Sequence, residues 1–266
     1  MANPEHLAEL MKGVESWNEW KSIHLINPST FSGTELREAL QNGIDVYSLP
    51  FRADLRGADL EGIDLNHIDL CWADLRGTNL AGANLQAANL MKTDFCQANL
   101  SGAILSGASL QDAVMTQADL NGAILIKTSM IQTRLRGAIL RGANLKQARI
   151  LGSFLEDVNL KKGVLEKADL KGSKFKNANL NGATLEGADL RASNFCGADL
   201  EEASLRGANV RSVKLCDANL NRTDFRDAHH LTWWTVRDAK NWKKGIYDTA
   251  FGKMLAQIIQ SNEDED

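Results

Sequence analysis

The side chains able to do chemistry are few, and their spacing argues against catalysis. Five histidines occur, His6, His24, His67, His229 and His230, none in a HExxH or zinc-finger spacing. His229 and His230 are adjacent, so on a strand they point apart. The four cysteines, Cys71, Cys96, Cys196 and Cys216, form no CxxC motif and no evident secreted framework. Aspartates are abundant, but they recur at one position of a repeat. That placement suits hydrogen-bonded ladders rather than paired catalytic carboxylates. No GxSxG, P-loop, GxGxxG in a βαβ context or calcium-binding nonapeptide occurs. The chain is therefore expected not to be an enzyme, to bind no metal or cofactor, and to take no small-molecule substrate.

What positions these residues is a strict five-residue period. A column of apolar residues runs from Leu55 through Leu60 and Leu65 to Phe225 without insertion or deletion. It has 35 positions, 27 of them Leu; the rest are Phe95, Met115, Met130, Ile150, Phe175, Phe195, Val210 and Phe225. Two residues before each lies a small residue, mostly Ala, as in Ala53, Ala58 and Ala73. Between the two stands Asp, Asn or Ser, and two after the Leu often stands Gly, as in Gly57, Gly62 and Gly77. This period matches neither an α-helix nor a flat strand, either of which would scatter the leucines. Each repeat is equivalent only if a pentad forms one short side of a coil and a turn follows. Leu and the small residue then point inward, polar residues outward, and Gly serves the corner.

In these A-(D/N)-L-x-G units, residues 51–228 resemble the pentapeptide-repeat family. The resemblance implies an all-β solenoid: a right-handed quadrilateral β-helix of about nine coils, with four pentads per square coil. Positions 20 apart then stack, which puts Phe95, Met115, Phe175 and Phe195 in one column. At ordinary inter-strand spacing the rod is roughly 40 Å long. Cys196 and Cys216 also stack, on adjacent coils, within the Cα range of a disulfide. Stacked neighbours rarely have the required dihedral, so reduced surface thiols are the plain expectation and a redox pair the functional one.

A solenoid exposes its core at each end, and α-helical caps are expected there. Residues 1–50 read as a helical N-terminal cap: Leu7, Leu10, Met11, Val14 and Trp17 follow helical spacing, and Thr34 to Asn42 makes a second helix closed by Gly43. Residues 229–266 read as a helical C-terminal cap with an acidic tail, including a short helix after Thr232 and another from Ile246 to Ile259. This tail resembles that of cyanobacterial members of the family. The ends hold five of the six tryptophans; only Trp72 lies within the repeats. Trp72 occupies a corner between Arg52 and Lys92, where cation–π contact can form and where a partner could anchor.

Net charge is −4, which favours solubility without a strong field. Its distribution is uneven. Residues 126–176 hold twelve Lys or Arg against four Asp or Glu, whereas residues 51–125 hold four against nine. Arg134, Lys174 and Lys214 share one outward column, and Arg136 and Lys176 share its neighbour, with Glu156 between them. One face of the middle coils is therefore expected to be positive and to dock an acidic protein surface.

The expected function is a non-catalytic scaffold that binds an unidentified protein partner through flat, pocketless faces. Two alternatives are a DNA mimic that binds a topoisomerase, as relatives that protect gyrase from quinolones do, and a spacer for the helical ends. The repeat region carries 22 basic and 21 acidic residues, which is too neutral for a DNA mimic. No direct nucleic-acid or membrane binding is expected. No basic start or apolar stretch marks a secretory signal, so a cytoplasmic location is expected. The chain should be a monomer or a weak end-to-end dimer.

Overall fold

The computed structural model describes residues 1–24 and 52–263. The expected helix at Thr34–Asn42 lies outside the described residues. The repeats wind into a right-handed β-helix. Parallel bridges join residues 20 apart in unbroken sequence, from Asp54 with Asp74 to Asn209 with His229. Four pentads therefore make one turn of the coil. Between turns the chain is held by its backbone: Leu55 N–H donates to Asp74 O at 2.9 Å, and Asp74 N–H donates to Ala53 O at 2.7 Å.

Each corner is a tight turn, with Ala58 N–H donating to Leu55 O at 3.1 Å. The residue two after the central one has positive φ at all 35 corners from 57 to 227, whether or not it is Gly. A left-handed conformation costs a non-glycine residue about 1–2 kcal/mol. The ladder offsets that cost, because corner amides also bond across coils, as Gln97 N–H does to Thr116 O at 3.1 Å. The polar residue before each Leu acts at the same turn. Asn79 Oδ1 accepts from Ala81 N–H at 3.3 Å, and Asn84 Oδ1 from Gln86 N–H at 3.2 Å. Its side chain also bonds along the rod, as Asn79 Nδ2 does to Asp59 Oδ1 at 2.9 Å and Asn99 Nδ2 to Asn79 Oδ1 at 3.0 Å. These are the expected ladders.

The core is the inward Leu and Ala columns, almost all fully buried. Phe175 and Phe195 lie one coil apart and stack, with centroids 4.5 Å apart and planes 2° apart. Hydroxyls in the small-residue column are buried yet satisfied. Thr78, Thr93 and Thr128 Oγ1 donate to the carbonyls of Leu55, Leu70 and Leu105 at 2.9, 2.7 and 2.9 Å.

At the N-terminus, α1 spans Pro4–Leu10 and α2 spans Val14–His24. The helical spacing of Leu7 to Trp17 is thus split in two. Gly13 has φ +112°, a backbone only glycine adopts comfortably, and Met11 is left exposed. The helices serve the first coil's free edge. His6 Nδ1 accepts from Asp54 N–H at 2.9 Å, Asn18 Oδ1 accepts from Asp69 N–H at 2.9 Å, and Trp17 Nε1–H donates to Asp69 O at 2.8 Å. Burial holds the His6 imidazole below its ordinary pKa, in the neutral form this bond requires.

At the C-terminus the ladder runs past residue 228. Asn219 bridges Lys240 and Asp224 bridges Ile246. α3 spans Trp233–Val236, between ladder positions. α4 spans Thr249–Glu263; Ile246, expected to begin this helix, is in the ladder instead. Tyr247 stacks on Phe225 at 5.7 Å and donates its hydroxyl to Trp242 O at 2.6 Å. No helix among the described residues is long and apolar enough to cross a membrane.

Candidate docking face

One outward column runs Asp54, Asp74, Asp94, Val114, Arg134, Phe154, Lys174, Asn194, Lys214, each residue bridged to the next. Its two halves differ in kind. In the first half every carboxylate meets an arginine. Arg56 bonds both Asp54 oxygens at 2.9 and 2.7 Å and holds that carboxyl down at about 2. Arg76 bonds both Asp74 oxygens at 2.8 and 2.6 Å, and Arg52 reaches Asp94 at 3.4 Å. The acidic excess of the early coils is therefore neutralised on this face.

The second half is basic. Arg134, Arg136, Lys174, Lys176 and Lys214 are all exposed. Arg136 pairs with Asp157 at 3.4 Å, while Arg134, Lys174, Lys176 and Lys214 have no ion pair among the described residues. The structure brings these five residues onto one face, as their columns imply. It also places among them a residue that the charge pattern passes over. Phe154 stands half-buried between Arg134 and Lys174, with Lys174 Nζ 4.3 Å from its ring centroid. The signal available in the sequence was an aromatic residue where Asp or Asn is the rule.

The face is not flat. A shallow groove is lined by Thr116, Arg134, Arg136, Phe154, Glu156, Asp157, Lys176 and Asn177. A second is lined by Lys176, Asn194, Cys196, Lys214, Cys216 and Lys240, among others. Both are shallow and open to solvent, formed where long basic side chains stand around shorter ones.

Trp72 lies at a corner near the arginine–aspartate end of the rod, away from the basic coils. It is half-buried at φ +66°, with Lys92 Nζ 4.4 Å from its ring centroid. Arg52, the other expected stacking neighbour, is drawn instead to Asp94 and Asp74. Two carboxylates outbid one ring face for a guanidinium.

Cys196 and Cys216 are joined through their sulfurs, with Cα atoms 4.6 Å apart. Cys71 and Cys96 are free. Burial, with help from Asp94, pushes the Cys96 thiol up to about 11, and burial raises Cys71 as well. Among the described residues no group of His, Cys, Asp and Glu is arranged to hold a metal ion.

The family model for pentapeptide repeats matches the chain in overlapping segments from residue 53 to residue 229. HetL, a pentapeptide repeat protein involved in heterocyst differentiation regulation from the cyanobacterium Nostoc sp. strain PCC 7120, is 30% identical; the match covers 81% of this chain and 94% of that one, with a TM-score of 0.41. A pentapeptide repeat protein from the thylakoid lumen of Arabidopsis thaliana is 29% identical over 40% of this chain and 70% of that one, with a TM-score of 0.35. QnrB1, a plasmid-mediated fluoroquinolone resistance protein, is 16% identical over 77% of this chain and 97% of that one, with a TM-score of 0.41. No curated protein matches.

Proposed function

The chain belongs to the pentapeptide-repeat family, and on that premise we propose that it is a non-catalytic scaffold that docks an acidic protein surface on the basic half of one face. The observation that carries this reading is the run of exposed cations at Arg134, Lys174, Lys176 and Lys214, without an ion pair among the described residues, with Lys174 over the Phe154 ring. Cations steer an acidic partner and fix its register, and a central aromatic supplies the desolvated contact that carries affinity. Trp72 is a second, separate anchor in this reading. We read the rod as about nine coils whose helical ends act as caps, in a monomeric or weakly end-to-end dimeric protein of the cytoplasm.

The test is affinity capture from lysate with the wild type beside a variant carrying Arg134→Glu, Arg136→Glu, Lys174→Glu and Lys176→Glu. A protein retained by the wild type and lost from the variant supports the docking face. Retention by both moves the contact elsewhere on the rod. Capture by neither, in both low and moderate salt, sinks the scaffold reading in favour of a spacer.

A further inference from the structure

Three lysines gather where the chain's one sulfur pair lies. Lys176 stands in the same outward column as Cys196, one coil earlier. Lys214 lies two residues before Cys216, and Lys240 bridges Asn219 on the next turn. All three, with both cysteines and a single carboxylate, Asp217, line the second groove. Cys216 is exposed and Cys196 half-buried, so an incoming nucleophile reaches the Cys216 sulfur first. The two free cysteines lack this setting, one buried and one with its thiol held protonated.

The geometry points to a thiol–disulfide exchange site at Cys196–Cys216 whose co-substrate is an anionic thiol, a cysteinyl peptide bearing carboxylates. In the first step the co-substrate's thiolate attacks Cys216 Sγ, the Cys196–Cys216 bond breaks, and its electron pair leaves on Cys196 Sγ. In the second, another thiolate attacks the co-substrate sulfur of the mixed disulfide and Cys216 Sγ leaves. Two thiols are oxidised to one external disulfide, and the two protons they release end on Cys196 and Cys216. The lysines act twice: they attract the carboxylates and thiolate of the incoming peptide, and they stabilise the departing Cys196 thiolate. Three cations near a groove opening onto water, within a Debye length, favour an anion over a cation by about tenfold at low salt.

Partner binding is not required for this chemistry, so small thiols alone test it. Free thiols are counted in the denatured protein after equilibration with oxidised glutathione. Two are expected, rising to four after reduction; four at the outset overturn the proposal. Reduction rates are then compared for glutathione and cysteamine, each normalised to its rate on a neutral small-molecule disulfide. The normalised preference for glutathione should be about tenfold, and it should vanish in about 0.5 M salt. The Lys176→Gln, Lys214→Gln, Lys240→Gln variant should lose the preference, and the matching Lys→Arg variant should keep it. No preference in the wild type, or the same preference in the Gln variant, overturns the role of the lysines. Cys216→Ser lacks the internal disulfide; prepared with its remaining thiols reduced, it should oxidise no added thiol.

Discussion

Ala87 and Ala192 hold corners at φ of 54° and 57°, where an L-residue is strained and neither side chain is buried. Ala87→Gly and Ala192→Gly are each expected to raise stability by about 1 kcal/mol, once the greater freedom of glycine in the unfolded chain is subtracted. Denaturant melts measure this, and a loss of stability would show that the corner backbone carries no strain. His6 is a second residue whose surroundings set its chemistry. Its imidazole titrates below the ordinary 6.5, because burial disfavours the charged ring. Between the folded value and 6.5 the unfolded chain binds the proton more readily, so stability falls as pH drops through that window and is full above it. Exchange of the Asp54 amide, corrected for its intrinsic pH dependence, should therefore speed up as the pH is lowered below 6.5. A rate that tracks only the intrinsic dependence would show that α1 docks without needing neutral His6.

The elements divide cleanly into what the repeat dictates and what it does not. The Leu column, the Asp and Asn ladders and the Phe175–Phe195 stack were legible, because a fixed period makes every pentad report on the same geometry. The left-handed corners at Lys127 or Glu202 were not, since nothing in those side chains asks for positive φ; the neighbouring coils impose it. The ends lacked a period to read. Helical spacing ran straight across Gly13, and Ile246 looked helical until the ladder claimed it. At the candidate face the columns of Arg134 and Lys174 could be assigned, but the pairing of Arg136 with Asp157 depends on side-chain reach between coils. The buried hydroxyls belong to this scale too. Val occurs at the same position in Val158 and Val213, so Thr93→Val fits sterically but loses the bond to Leu70 O. A cost of about 1 kcal/mol is expected in equilibrium unfolding. No change would mean that the hydroxyl does no more than fill space.

Across the whole molecule stability is spread along the rod, since each coil touches chiefly the coils before and after it. Register, not any single contact, is what the rod depends on. Deleting residues 98–117 removes four whole pentads, and deleting 98–102 removes one; both leave every later Leu facing inward. Both variants should give a cooperative melt with a β-rich circular dichroism spectrum. Deleting 98–100 throws the Leu column out of phase and should abolish that melt; a folded product would show that the coil tolerates irregular turns. The two folded products are not alike on the outside. With four pentads gone, Arg134 stays on the face that carries Asp94. With one gone, everything after the break turns onto the adjoining face. At the level of the gene, duplication of a four-pentad stretch lengthens the protein and leaves its sides aligned. Gain or loss of a single pentad acts as a quarter-turn of a dial: it re-sorts which charges share a side without altering one residue of the interior.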